Sequence, residues 1–254
     1  MLAIERHRKI LQLLAKEGSI RVSELAKRFG VTEETIRRDF SKLENQGKIV
    51  RSHGGAIITE QEETIRPFAW REVANEAEKT AIVNEAVKRI QPGDSIILDA
   101  STTAWHLAKQ LDDIPLTVIT NSLQIPIALA NHLEIAVHIL GGRLGKQSLS
   151  LVGPTAEEQL RRYHADKLFI SCEGIDIERG ISDRSENQAH LRRIMLTCAE
   201  TRYLLVDHTK FRVRSLSHIC KLSEFDEIIT DTATPAETLH HLKELQIKTT
   251  IAHS

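Results

Sequence analysis

The chain has 254 residues, 41% hydrophobic and 27% charged, with a formal net charge of −1 at pH 7. That length suits two domains or one large α/β domain, and the composition is that of a soluble globular protein. No apolar run approaches the about 20 residues that cross a bilayer, and the charged and apolar residues of MLAIERHRKILQLLAKEG alternate at helical spacing, so neither a signal peptide nor an anchor is expected there. The cysteines (Cys172, Cys198, Cys220) are odd in number and widely spaced. They argue against a disulfide framework and a zinc site and fit a reducing, cytoplasmic setting.

The charge is unevenly spread. Residues 1–58 hold twelve Lys and Arg against seven Asp and Glu, a balance of +5, so the remainder carries −6. A basic head on an acidic body points to a polyanion partner for the head alone. In chain order, Ile10, Leu13 and Leu14 mark one face of a helix from about Ile4 to Glu17, which Gly18 stops. Ser19-Ile20-Arg21 reads as a short extended piece. Ser23 is placed to cap a second helix, with Leu25, Ala26 and Phe29 on its apolar side and Gly30 at its end. After only Gly30-Val31, Thr32 is the expected cap of a third helix, with Glu33 and Glu34 in the first turn, where the helix dipole favours anions. Two helices joined by so short a turn form a helix-turn-helix.

In the third helix Ile36, Phe40 and Leu43 recur at i, i+4 and i+7 and form one buried stripe. Thr35, Arg38 and Lys42 cluster on the opposite side, Glu34 and Ser41 lie toward one margin, and Arg37 sits on a flank. Short polar and long basic side chains together suit the major groove, with Arg38 reading a guanine edge and Arg37 and Lys42 on phosphates. KIVRSHGGAII, residues 48–58, follows as strand, His-Gly-Gly turn and strand. That hairpin is the wing of a winged helix, with Arg51 and His53 at its basic tip. The expected DNA contacts are therefore Thr32, Glu34, Thr35, Arg37, Arg38, Lys42, Arg51, His53 and Gly54.

These residues carry a resemblance. Residues 4–56 contain VTEETIRRDFSKLENQGKIVRSHGGA, which resembles the DeoR family of bacterial transcriptional regulators, whose pattern runs V-[ST]-x-x-T-I-R-R-D-L-x-x-L and then R-x-H-G-G-A. Phe40 replaces the usual Leu and stays apolar. The resemblance implies double-stranded operator DNA as a partner. A homo-oligomer, dimer or tetramer, is expected as well, because one recognition helix reads too few base pairs.

TEQEETIRPF, residues 59–68, is polar, acidic and interrupted by Pro67, so 59–75 is expected to be a linker between domains 1–58 and 76–254. From about Glu76 a helix resumes, with Ile82, Val83, Ala86, Val87 and Ile90 apolar. Strands and helices then alternate: SIILDA (95–100), helix 103–111, LTVITN (116–121), helix 123–132, IAVHIL (135–140), helix 155–163, KLFISC (167–172), helix 186–200, YLLVD (203–207), EIITD (227–231), helix 235–245 and a strand near 247–252. The expected fold class is α/β, a winged helix-turn-helix followed by a largely parallel sheet covered on both faces.

In such a sheet ligands bind at the C-terminal strand ends. The first end, Asp99-Ala100-Ser101-Thr102-Thr103, offers hydroxyls and backbone N–H groups at a helix N-terminus, either as an anion site or as simple N-capping by Ser101 or Thr102. Thr120-Asn121-Ser122, Gly141-Gly142-Arg143, Gly174-Ile175-Asp176, Glu186, Arg192-Arg193 and Asp207-His208-Thr209-Lys210-Phe211 follow. Hydroxyls, carboxylates, an amide and a lysine at strand ends suit a polyol carrying a phosphate. Residues 66–254 also resemble the family's sensor domain, similar in fold to ribose-5-phosphate isomerase, which implies a phosphorylated sugar as effector. Ser101 departs from the family's usual Gly, and Arg192-Arg193 from its usual Lys-Arg. The effector candidates are Asp99, Ser101, Thr102, Thr103, Asn121, Gly141, Gly142, Asp176, Glu186 and Lys210. No cofactor, metal or catalytic residue is expected. The alternative is an isomerase-like enzyme with an appended DNA-binding domain, using Glu186 or Asp176 as base and Lys210 as its partner. Its weakness is that EGIDIERGISDRSENQAHLRR lacks the Gly-rich loop of those enzymes.

Overall fold

The computed structural model describes residues 2–45, 48–52, 54–57 and 67–253, which fall into two compact units, Met1–Glu76 and Ala77–Ser254. The first contains α1 (Ala3–Glu17), β1 (Ser19–Arg21), α2 (Val22–Phe29), α3 (Glu33–Asn45), β2 (Val50–Ser52), β3 (Gly55–Ile57) and α4 (Phe68–Val73). β3 lies between β1 and β2, antiparallel to both. The wing turn needs both of its glycines. Gly54 sits at φ 80°, and a Cβ on Gly55 would lie 2.4 Å from Ile20 O. α2 begins at Val22, one residue before the expected Ser23 cap, with no side-chain cap at Arg21. The Val22 N–H instead donates to Gly54 O at 3.0 Å, so the wing backbone supplies the missing acceptor.

The head core is the stripe read from spacing. Ile10, Leu14, Leu25, Ile36, Phe40 and Leu43 are fully buried together, each stabilising the fold by roughly 1.5–3 kcal/mol. The linker expectation needs correction at its C-terminal end. Pro67 starts α4 rather than breaking a helix, and Trp70 and Val73 join the head core. The Trp70 indole N–H donates to Lys48 O. An aromatic residue at the end of a polar stretch was the signal that composition averaged away. The preceding part of the expected linker, 59–66, and His53 lie outside the described residues.

The second unit opens with α5 (Glu76–Val87) and runs β4 (Ser95–Leu98), α6 (Thr102–Ala108), β5 (Leu116–Thr120), α7 (Gln124–Leu129), β6 (Ile135–Ile139), β7 (Arg143–Gly145), β8 (Ser150–Val152), α8 (Pro154–Leu160) and β9 (Ala165–Ile170). It continues with β10 (Gly174–Asp176), β11 (Gly180–Asp183), α9 (Glu186–Thr197), β12 (Ala199–Leu205), β13 (Ser217–Cys220), β14 (Glu227–Asp231), α10 (Ala236–Glu244) and β15 (Thr249–Ala252). Seven strands form one parallel sheet in the order β15-β14-β12-β9-β4-β5-β6. Alternation along each strand feeds two cores. Ile96 and Leu98 pack with α5, α6 and α7, whereas Ile97 packs with α8, α9 and α10. The β7–β8 hairpin and the antiparallel sheet β10-β11-β13 are additions to the expected pattern.

The strand order reverses between β4 and β9. β5 and β6 continue to one side of β4, and β12, β14 and β15 to the other side of β9. A crevice therefore opens beyond the carboxyl ends of β4 and β9, where open α/β sheets place their ligands.

Candidate functional site

The head and the body each carry a candidate surface. In the head, Thr32 caps α3. Its Oγ1 accepts the Thr35 N–H at 3.2 Å and lies 2.9 Å from Thr35 Oγ1. Arg37 Nη2 donates to Glu33 Oε2 at 2.8 Å, and Arg38 Nε lies 3.5 Å from Glu34 Oε1, each one turn back along the helix. Exposed i,i+4 pairs are weak, so they hold neither arginine firmly in place. Arg38, with its side chain 77% exposed, and exposed Lys42 stand on the side opposite Ile36, Phe40 and Leu43. Arg51 is exposed and has partners within the head. Its Nη1 donates to Ser41 Oγ at 3.0 Å and its N–H to Glu44 Oε1 at 3.3 Å, which ties the wing to α3. Gly54 turns that wing, while His53 is outside the described residues.

Asp39 is the head residue that sequence reasoning passed over. It is 3% exposed within the apolar stripe of α3, and it accepts Arg6 Nε at 2.5 Å, Arg6 Nη2 at 3.1 Å and His7 Nε2 at 2.9 Å. Burial works against its carboxylate, but the hydrogen bonds from Arg6 and His7 outweigh it and hold the pKa below the usual range. The result is a fixed angle between α1 and the helix that faces outward. The signal was present: a carboxylate three residues after Ile36 and four before Leu43 falls on the buried side.

In the body, the crevice is organised by Asp99 at the end of β4. Asp99 Oδ1 accepts the Ser101 N–H at 3.1 Å, while Oδ2 accepts Arg192 Nε at 2.8 Å and Nη2 at 2.7 Å. Arg192 Nη1 reaches Asp183 Oδ2 at 2.5 Å. Arg192 is buried, which disfavours its charge, but Asp99 and Asp183 more than compensate and raise its pKa. A guanidinium that bridges two carboxylates through different edges cannot be replaced by a lysine point charge. Cys172, following β9, is pushed up to about 12 by burial, with Lys210 and Arg192 pulling the other way and Asp183 and Asp99 adding to the rise. Lys210, Arg192, Asp183 and Asp99 thus all act electrostatically on this one thiol. Arg192 stood among the polar residues expected near the strand ends, though not among the effector candidates, and Asp183 is the unforeseen member. Gln188 and Arg192, one turn apart among Ala189, Leu191, Ile194 and Met195, were the legible sign of a polar track on a buried face.

The remaining effector candidates are distributed around this centre. The Ser101 hydroxyl accepts the Ala104 N–H at 3.0 Å and is spent on capping α6; Thr102 and Thr103 are buried beside it. Asn121, after β5, is fully buried. Its Nδ2 donates to Leu151 O at 3.1 Å, while Oδ1 has no hydrogen-bond partner among the described residues. Gly141 donates its N–H to Gln159 Oε1 at 2.6 Å, and a Cβ on Gly142 would lie 2.8 Å from Val152 O. Gln188 Nε2 donates to Ser150 Oγ at 2.5 Å beneath the β7–β8 hairpin. Asp176 and Glu186 are placed differently. Asp176 Oδ1 accepts the Glu178 and Arg179 N–H groups and Oδ2 accepts Arg214 Nε at 2.5 Å. Asp176 lines a 770 Å³ cavity with Phe211, Arg212, Arg214, Glu237 and His241, none of them at the ends of β4 or β5. Glu186 is exposed in the first turn of α9. Among the described residues no His, Cys, Asp and Glu cluster could hold a metal ion, and no helix is long and apolar enough to cross a membrane.

Comparison with known proteins yields consistent matches over both units. Residues 6–62 match the DeoR-like helix-turn-helix domain and residues 74–232 the DeoR C terminal sensor domain. The HTH-type transcriptional regulator YulB of Bacillus subtilis (strain 168) is 46% identical over 250 residues, 98% of this chain and 97% of that protein. A putative aga operon transcriptional repressor of Escherichia coli O157:H7 is 36% identical over 96% of this chain and 92% of its own. Among solved structures, ribose 5-phosphate isomerase A of Methanocaldococcus jannaschii aligns with a TM-score of 0.41 and 19% identity, covering 54% of this chain and 55% of that one.

Proposed function

The chain belongs to the DeoR family of transcriptional regulators, and on that premise we propose that it is a sequence-specific repressor of a carbohydrate catabolic operon, acting in the cytoplasm and released from its operator by a phosphorylated sugar. The α3 face of Thr35, Arg38 and Lys42 reads the major groove, with Arg37 on phosphate. The observation that supports the effector reading is the pair of uncommitted polar groups at the strand ends. Asn121 Oδ1 is a buried acceptor lacking a partner, and Lys210 forms no ion pair among the described residues. A buried acceptor of this kind is satisfied by a ligand hydroxyl, and a lysine by a phosphate. Arg192 is already neutralised by Asp99 and Asp183, so it positions the loop rather than holding the anion. The effector acts by binding one conformational state of the dimer or tetramer better than the other. An enzymatic role is disfavoured because its two candidate bases are unsuited: Asp176 is consumed by Arg214 and turn N–H groups, and Glu186 is exposed.

The test is a thermal-shift screen of aldose and ketose phosphates, each hit then being assayed for release of an operator duplex that the protein itself has selected from a random-sequence pool. At least one sugar phosphate should stabilise and release the wild type. Lys210→Ala should keep operator binding and lose the response. A response identical in wild type and Lys210→Ala, or turnover of any sugar phosphate, sinks the reading.

A further inference from the structure

Among the described residues no strand pairs with β6 on the side away from β5. The direction of its free groups follows from two hydrogen bonds. The Leu140 N–H donates to Thr120 O at 2.9 Å, and the Leu116 N–H donates to Glu134 O at 3.4 Å. Even-numbered residues of β6 therefore aim their backbone at β5. Alternation turns the N–H and C=O of Ile135, Val137 and Ile139 outward. The strand, IAVHI, carries none of the devices that keep an edge from pairing: no lysine, no proline, no bulge. Exposed apolar side chains surround it, Leu133 at 89%, Ile127 at 68% and Ile139 at 50%. The opposite edge differs, because β15 is shorter and follows directly on Lys248.

We propose that β6 is the self-association strand of this protein: a second copy of the chain pairs with it antiparallel about a two-fold axis through Val137. In that register Val137 faces its own counterpart, and Ile135 faces the second copy's Ile139. Every outward N–H and C=O then gains a partner, in the isologous arrangement that closes a dimer. Charge sets the direction. Glu134 precedes the strand and Arg143 follows it, both exposed and neither ion-paired among the described residues. Antiparallel pairing carries Glu134 of one copy toward the Arg143 end of the other, whereas parallel pairing would align like charges. This rests on the reading above that the chain binds its operator as an oligomer.

Sedimentation of the full-length chain tests it. Val137→Pro removes an outward N–H and no hydrogen bond within the subunit, while also changing a side chain packed on the sheet core. Ile139→Lys sets a charged side chain against the second copy's Ile135 on an otherwise apolar edge and should weaken association by at least about tenfold. Both variants should shift the protein toward half the wild-type mass, and Ile139→Lys, at a half-exposed position, should do so with little change in melting temperature. Glu134→Arg and Arg143→Glu should each weaken assembly, and the double variant should restore it. A wild type that is monomeric at micromolar concentration, or wild-type mass retained in both Val137→Pro and Ile139→Lys, overturns the proposal. Titrating the same samples with a half-site duplex separates this from the functional reading: half-site binding that survives leaves the regulator assignment standing, whatever happens to the mass.

Discussion

At the scale of single residues, spacing on a helix proved informative about which face a side chain takes, but silent about its partner. Arg38 and Arg51 both read as DNA contacts in the sequence. Arg38 stands free of everything but a weak pair with Glu34, while Arg51 is bonded to Ser41 and Glu44. The two should separate by experiment. Arg38→Ala should cost on the order of 1–3 kcal/mol of operator affinity and relax the preference at one base pair. Arg51→Ala should weaken binding without changing sequence preference, because it loosens the wing. Titration against single-base operator variants gives both answers, and an Arg38→Ala protein that binds like wild type would falsify the assignment of the α3 face. Asp39 and Arg192 teach the complementary lesson. Each lies on an apolar face by spacing, yet each is anchored by groups far along the chain, Arg6 in one case and Asp99 in the other.

At the scale of elements, the seven strands of the main sheet were visible because most are short apolar runs bounded by turn residues; β4 and β14 are buried on both faces, whereas the edge strands β6 and β15 are partly exposed. The three-residue strands β1, β2, β3, β7, β8 and β10 are too short to show a period; β1 was anticipated from its place between two helices and β2 and β3 from the His-Gly-Gly turn between them, whereas β7, β8 and β10 were not. α4 was missed for a related reason. It is a single short helix that owes its stability to packing rather than to pattern. Trp70 is the anchor, 4% exposed and hydrogen-bonded to Lys48 O. Trp70→Ala should lower the stability of the head by about 3–5 kcal/mol. Chemical denaturation followed through operator binding should then show a lower midpoint, while the far-UV transition of the body stays in place. Unchanged head stability would show that α4 is an attachment and not a part of the head core.

At the scale of the molecule, the sheet is tied laterally by charges that no local pattern reveals. Glu227, at the start of β14, is 2% exposed and accepts Arg89 Nη2 at 2.5 Å, Lys248 Nζ at 2.8 Å and Thr250 Oγ1 at 2.6 Å. Burial alone would raise its pKa, but hydrogen bonds from Arg89, Lys248 and Thr250 prevail and hold it at about 2, below the ordinary 4.5. A carboxyl with a depressed folded pKa stabilises fully above its unfolded pKa and loses that contribution as pH falls through the folded one. The melting temperature should therefore drop between about pH 5 and pH 2 in the wild type. Glu227→Gln should melt lower at neutral pH and show a shallower acid dependence; coincident pH profiles for the two would remove Glu227 from the account.

What the sequence determined by itself was the order and type of the long elements, the basic head on an acidic body, and the family, because helical and strand periods and the TIRRD and HGGA runs are local in the chain. What only the tertiary structure decided was which strands lie side by side, and therefore where the order reverses and the crevice opens at Asp99 and Cys172. It also decided that Arg192 is neutralised by two acids from different elements, that α4 belongs to the head, and that no strand among the described residues pairs with the outer side of β6. Each of these depends on contacts between residues far apart in sequence, whose geometry no local pattern encodes.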